Sequence, residues 1–169
     1  RSQPLPQGYS LKQADATGWM AMFALNMTMM CLELAAEQSD YEDVAIQCYM
    51  QFLAIANTIA GFGGGSLSLW DERDSFFKDQ VVGPDGKAQH IDVFSWVGII
   101  PLFACEIVDQ RLLDAAPRFH TVMNKHRYGM FDGHYVSECP TKTNARGEHL
   151  LSLVDAQKLP AILRHLLSE

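Results

Sequence analysis

Between Gly18 and Leu32 the chain is apolar almost without a break, with Asn26 and Thr28 the only polar interruptions. Met20, Met22, Phe23, Leu25, Met27, Met29, Met30 and Leu32 leave no wide polar face. The pattern predicts a helix from Trp19 to about Ala36, buried on both sides. Asp15 or Thr17 is placed to cap its start, because either side-chain oxygen can accept from a free backbone N–H. Residues 1–14, with Pro4, Pro6 and Gly8, read as an extended leading loop. Ser39 followed by Glu42 has the spacing of a capping box. Behind it Tyr41, Val44, Ala45, Cys48, Tyr49, Phe52, Leu53 and Ala56 recur at helical spacing, and Gly61 closes the helix. The short gap between these helices implies an antiparallel pair.

Further on the period changes. Residues 75–82 and 87–93 flank Gly83-Pro84-Asp85-Gly86 and read as a small irregular hairpin. A helix is predicted from Val97 to Ala115, with Pro101 near its start, and a shorter one from Pro117 to about His126. Residues 128–145 are loop-rich. A final helix carries Leu159, Ile162, Leu163, Leu166 and Leu167, with Pro160 in its first turn, where a missing N–H costs little. The expected class is all-α: antiparallel helix pairs with one small β-hairpin loop.

The length of 169 residues corresponds to one domain or a piece of a larger one, and an apolar content of 48% supports a real core. A formal charge of -7 excludes a basic surface for nucleic acid or anionic membrane. The longest apolar run falls short of the roughly 20 residues that span a bilayer, so no membrane association is expected. No basic leader with a cleavage site is visible, and the chain opens on Arg1, as a processed chain or an excised piece would. Cys31, Cys48, Cys105 and Cys139 form no C-x-x-C pair, which fits a reducing, cytoplasmic setting.

Chemistry concentrates between Leu69 and Asp79. Trp70, Asp71, Glu72 and Asp74 stand together, followed by Phe76 and Phe77. Acids accept hydrogen bonds from hydroxyls, and an exposed ring stacks on the apolar face of a pyranose. The plainer reading is an acidic loop anchored by its aromatics. Metal ligation by His120, His126, His134, Cys139 and His149 lacks helical or C-x-x-C spacing, so no metal and no cofactor is expected. The glycine-rich stretch 61–66 lacks the Lys of a phosphate loop, and no G-x-S-x-G is present. Glycoside hydrolysis needs one protonated acid and one carboxylate on opposite sides of the bond. Sequence neighbours such as Asp71 and Glu72 rarely supply that geometry.

Several stretches, in order, resemble glucosidase-like proteins of glycoside hydrolase family 63, related to the mannosylglycerate hydrolases. Gln13-Ala14-Asp15-Ala16-Thr17-Gly18-Trp19-Met20-Ala21-Met22 is similar to Q-A-D-G-T-A-W-M-A-M, and Leu25-Asn26-Met27 continues the likeness. Tyr41-Glu42-Asp43-Val44-Ala45 resembles Y-E-D-x-A. Leu69-Trp70-Asp71-Glu72, with Asp74 and Phe76-Phe77, resembles L-W-D-E-x-D-G-F-F-Y-D. Residues 97–104 resemble V-G-L-I-P-L-F-A, and Arg146-Gly147 with residues 150–154 follows as a further landmark. Ser75 and Lys78 replace the family's Gly and Tyr, and Phe94 stands where Arg is usual. Ala16 and Gly18 replace Gly and Ala.

The resemblance implies an inverting α-glycosidase whose catalytic domain is an (α/α)6 barrel, with residues 1–169 a central slice of it. Arg1-Ser2 looks like the end of an upstream element, and both catalytic carboxylates are expected outside this chain. The residues implied to hold carbohydrate substrate are Gln13, Asp15, Trp19, Trp70, Asp71, Glu72 and Asp74, with Trp70 stacking on a ring. A slice of this kind is expected to expose apolar helix faces, covered by the remainder of the barrel or by self-association. The competing expectation is a helical interaction module without catalysis.

Overall fold

A computed structural model describes residues 4–59, 68–127 and 143–167. Among them 54% are helical and 16% lie in strands, forming six helices and three small sheets. The fold is mixed α/β. This overturns the expected all-α array of helix pairs forming part of a barrel.

Strand β1 (Ser10–Lys12) leads into α1 (Ala14–Ala35) and α2 (Tyr41–Ile59), which pack on each other through a large shared interface. α1 starts five residues before the sequence pattern places it. Neither Asp15 nor Thr17 caps it: the Asp79 carboxylate, 65 positions away, accepts from the Ala14 amide at 2.8 Å. Its buried side is Ala14, Gly18, Ala21, Leu25, Thr28, Leu32 and Ala35, a stripe of mostly small residues at alternating four- and three-residue steps. Small residues let α1 lie close to its neighbours, and a Cβ on Gly18 would stand 2.9 Å from the Pro101 nitrogen. The large side chains Met20, Phe23, Met27, Met30 and Leu34 face outward instead, so the expected burial on both sides is not what these residues achieve.

Two hairpins follow. β2 (Trp70–Asp71) pairs with β3 (Phe76–Phe77), and β4 (Gln80–Val82) pairs with β5 (Ala88–His90) around the Gly83–Gly86 turn. β1 adds to the other edge of β4, giving the order β1-β4-β5. The leading residues are therefore partly strand.

The predicted helix from Val97 to Ala115 is three elements. A 3-10 helix (Trp96–Phe103) comes first, then β6 (Cys105–Val108), then α3 (Gln110–Ala115). Pro101 has no N–H to donate, and the unbroken apolar run 97–104 has no polar face to mark a helical period. β6 pairs antiparallel with β7 (His149–Ser152), a strand the sequence pattern does not predict. α4 (Pro117–Arg127) and α5 (Lys158–Leu167) match the sequence pattern, with Pro160 in the first turn of α5.

The core joins Leu25 and Leu32 of α1, Tyr49, Phe52 and Leu53 of α2, Phe77 of β3, and Phe119 and Met123 of α4. Glu42 does not close a capping box with Ser39. Its two oxygens accept from the Arg118 amide (2.6 Å), the Phe119 amide (3.0 Å) and the Arg118 guanidinium (2.7 Å). It thereby caps α4 from α2, where the positive end of a helix favours a carboxylate. Burial pushes the Glu42 carboxyl up, but the Phe119 amide and both Arg118 donors outweigh it and hold it below the usual range.

Candidate functional site

The β2–β3 hairpin gathers charge around one lysine. Lys78, just past β3, is 0% exposed along its side chain, because the strand turns it inward beneath the 72–75 turn. Its ammonium donates to Asp92 at 2.8 Å and to Asp74, and lies 3.2 Å from Asp71. Arg73 reaches over the same acids, 2.8 Å from Asp74 and 3.0 Å from Asp92. Phe94 closes one side, its ring centroid 4.8 Å from the Lys78 ammonium, within cation–π range.

These carboxylates are held ionised. Burial pushes Asp71 up, but the Lys78 ammonium and the Arg73 and Asp74 amides bring it below its ordinary value. Arg73 and then Lys78 hold Asp74 down at about 2, and Lys78 and Arg73 lower Asp92. Burial pulls Lys78 down, yet hydrogen bonds to Asp74, Asp92 and Asp71 carry it above the ordinary lysine range. A general acid requires the opposite shift, a carboxyl kept protonated at neutral pH. The charges of this cluster hold one another in place.

The turn itself carries strain. Ser75 has φ +52°, the left-handed region that costs an L-residue about 1 kcal/mol and suits glycine. Ser75→Gly is expected to raise stability by about 0.5–1 kcal/mol with the hairpin unchanged, readable as a higher midpoint in urea.

Beside this turn runs an open groove of about 770 Å³ between residues 73–75 and α5, lined by Arg73, Asp74, Arg164 and His165. It adjoins a second hollow of about 370 Å³ lined by Phe76, Phe94 and Trp96, and His165 lines both. The His165 Nε2 lies 2.7 Å from the Asp74 carbonyl oxygen, which pins the ring against Phe76 (5.4 Å) and Phe94 (5.0 Å). Trp96 stands 78% exposed at the rim.

Of the sequence-predicted residues, Asp74 alone lines this groove. Trp70 is only 6% exposed, edge-on to Phe77 at 5.0 Å with the Lys158 ammonium 5.5 Å from its ring centre, so no open face remains for stacking. Asp71 is buried with Lys78, and Glu72 is exposed on the turn. Gln13 and Asp15 sit at the start of α1, joined to this region through Asp79, and Trp19 packs on Phe103 at 5.6 Å. Trp96, His165, Arg73 and Arg164 escaped the sequence reading. Only the aromatic pair Phe94 and Trp96 offered a signal, and it lay between the hairpin read to residue 93 and the helix read from Val97.

Cys31, Cys48 and Cys105 are free thiols. Among the described residues no three His, Cys, Asp or Glu side chains converge as an ion would require. The remaining candidates for metal or phosphate binding, His134, Cys139 and the glycine-rich 61–66 stretch, lie outside the described residues, as do Arg1 and Ser2.

No family model matches the chain, and no solved structure matches it. It is similar to an uncharacterized protein of Saccharomyces cerevisiae, 34% identical over 183 aligned positions. That match takes in 100% of this chain and 16% of the yeast protein, so the chain spans about a sixth of its relative's length.

Proposed function

We propose that this chain is a segment of an α-glycosidase that supplies one wall of a carbohydrate-binding groove, with both catalytic carboxylates contributed from outside it. The observation that carries the reading is the groove beside the 72–75 turn together with the aromatic hollow that adjoins it at His165. A flat, exposed Trp96 and the Phe76–Phe94–His165 floor suit the apolar face of a pyranose, and Arg73, Asp74 and Arg164 suit its hydroxyls. The stacking role expected of the buried Trp70 belongs in this reading to Trp96, while Asp71 holds Lys78 in place.

The ordered likeness to family 63 supports the same reading, and two departures from it answer each other. The family's usual Tyr and Arg fall at the positions of Lys78 and Phe94. Here a cation stands at the first position and a ring at the second, and the two meet at 4.8 Å.

The test is binding of methyl α-glucoside, maltose and mannosylglycerate, followed by saturation-transfer NMR. Trp96→Ala is expected to weaken binding about tenfold, near 1.4 kcal/mol, with the thermal midpoint unmoved because the side chain packs little. Wild-type affinity in the Trp96→Ala protein, or no binding of any α-glycoside, sinks the assignment. A second reading, a non-catalytic interaction module, draws on the bare outer face of α1.

A further inference from the structure

The groove beside α5 is rich in hydrogen-bond donors and poor in free acceptors. Its polar side chains are Arg73, Asp74, Ser75, Arg164 and His165. The Asp74 carboxylate is already taken, by Nε of Arg73 at 3.3 Å, by Nη2 of Arg73 at 2.8 Å and by the Lys78 ammonium. His165 gives its Nε2 proton to the Asp74 carbonyl oxygen. Arg73 spends Nε and Nη2 on Asp74 and Asp92, so its Nη1 makes no hydrogen bond among the described residues. Arg164 makes no hydrogen bond and no ion pair among them. The last turn of α5 favours a cation, because the carbonyl end of a helix is its negative end. That accounts for an arginine on α5, but not for its sharing a groove with a second guanidinium from the hairpin turn.

We propose that the glycoside held here carries a phosphate monoester, with its ring against Trp96 and its phosphate between Arg73 and Arg164. The inference rests on the sugar reading of the adjoining aromatic hollow and names the class of substrate. A guanidinium has donors only and stays charged, and an oxyanion accepts its bonds about twice as strongly as a neutral hydroxyl does. A carboxylate is planar, and a single guanidinium fork satisfies it. A phosphate monoester has three strongly accepting oxygens, spread tetrahedrally, and takes donors from two walls at once. The groove supplies two walls, residues 73–75 on one side and α5 on the other. His165 lines both hollows, so a ring in the one lies next to a substituent in the other. Their volumes, about 770 and 370 Å³, each fall within the range of small-molecule sites and leave room for both parts.

The experiment compares maltose with maltose 6′-phosphate by titration calorimetry on the full-length protein, with mannosylglycerate and inorganic phosphate as further ligands. The phosphate ester is expected to bind at least about tenfold tighter than maltose. Arg164→Gln, at an exposed position, is expected to bring that ratio down to about one. Arg164→Lys keeps the charge without the fork and is expected to retain part of it. Equal affinity for maltose and its phosphate overturns the inference and leaves the sugar reading standing. An equal gain for mannosylglycerate, whose carboxylate would then be the group recognised, overturns it in the same way, as does a ratio unmoved by Arg164→Gln. Inorganic phosphate binding as tightly as the ester shows an anion site without a sugar and overturns it too. Binding of neither maltose nor its phosphate overturns the sugar reading and this inference with it.

Discussion

Gly98→Ala is expected to abolish the native packing of the 3-10 helix, a loss of more than about 4 kcal/mol. A Cβ at Gly98 would lie 2.1 Å from Cε1 of Phe76 and 2.3 Å from the carbonyl oxygen of Phe77. The Phe76 ring could swing aside, but the Phe77 oxygen belongs to the β2–β3 hairpin and cannot move without it. That hairpin carries the charge cluster, and Phe94 and Trp96 lie just before Gly98. The clash therefore opens the groove as well as the core. Gly86→Ala separates sterics from backbone preference: Gly86 has φ +76° and nothing within 4 Å of a new Cβ, so its cost should stay near 1–2 kcal/mol. Urea denaturation with near-UV circular dichroism reads both. If Gly98→Ala costs no more than Gly86→Ala, the close approach is not what holds the 3-10 helix.

Local pattern made four α-helices legible: α2 and α5 by an apolar stripe at steps of three and four residues, α1 by a long run apolar nearly all round, and α4 by Pro117 at its start. The Gly83–Gly86 turn was legible for a different reason, since its residues suit only a tight reversal. What stayed hidden was pairing at long range. Residues 105–108 and 149–152 are too short to show a period, and each becomes a strand only because the other supplies its hydrogen bonds. The fold class turned on such segments, so a reading confined to local pattern arrived at all-α. Caps followed the same logic. Asp79 serves α1 and Glu42 serves α4 from distant elements, whereas sequence assigns caps to neighbours.

The candidate site was half legible for related reasons. The stretch from Trp70 to Asp74 stands out in the sequence as dense in acids and rings, but sequence does not say which side chains a short hairpin turns inward. Both residues of β2 are buried, so Trp70 and Asp71 became core and ion-pair partner. The exposed ring is Trp96, at the start of the 3-10 helix, which lines the hollow that adjoins the groove. His165 arrives from the far end of the sequence, a proximity that no local spacing announces.

Lys78→Met is expected to destabilise the protein by about 2–3 kcal/mol at neutral pH. Removing one partner of a buried ion cluster leaves the others without their counter-charge, and the figure is at the low end because Asp92 remains largely in water. Three carboxylates face two cations in the wild type, so losing Lys78 leaves three against Arg73 alone. The pH dependence follows from the directions of the shifts. Asp71, Asp74 and Asp92 are depressed in the folded state, so their contribution is present above about pH 4, the unfolded carboxyl value, and fades as pH falls towards about 2, where Asp74 titrates. Lys78 is raised, so its contribution is present below about pH 10.4, the unfolded lysine value, and is lost only as pH climbs through the higher folded one. The difference between wild type and Lys78→Met should therefore be flat from about pH 5 to 9 and shrink as acid protonates the cluster. Asp71→Asn, added to Lys78→Met, should restore part of the loss by removing one buried charge that Lys78 no longer balances. Strict additivity of the two substitutions, or a difference that persists unchanged at pH 2, would show that Lys78 contributes packing and not charge.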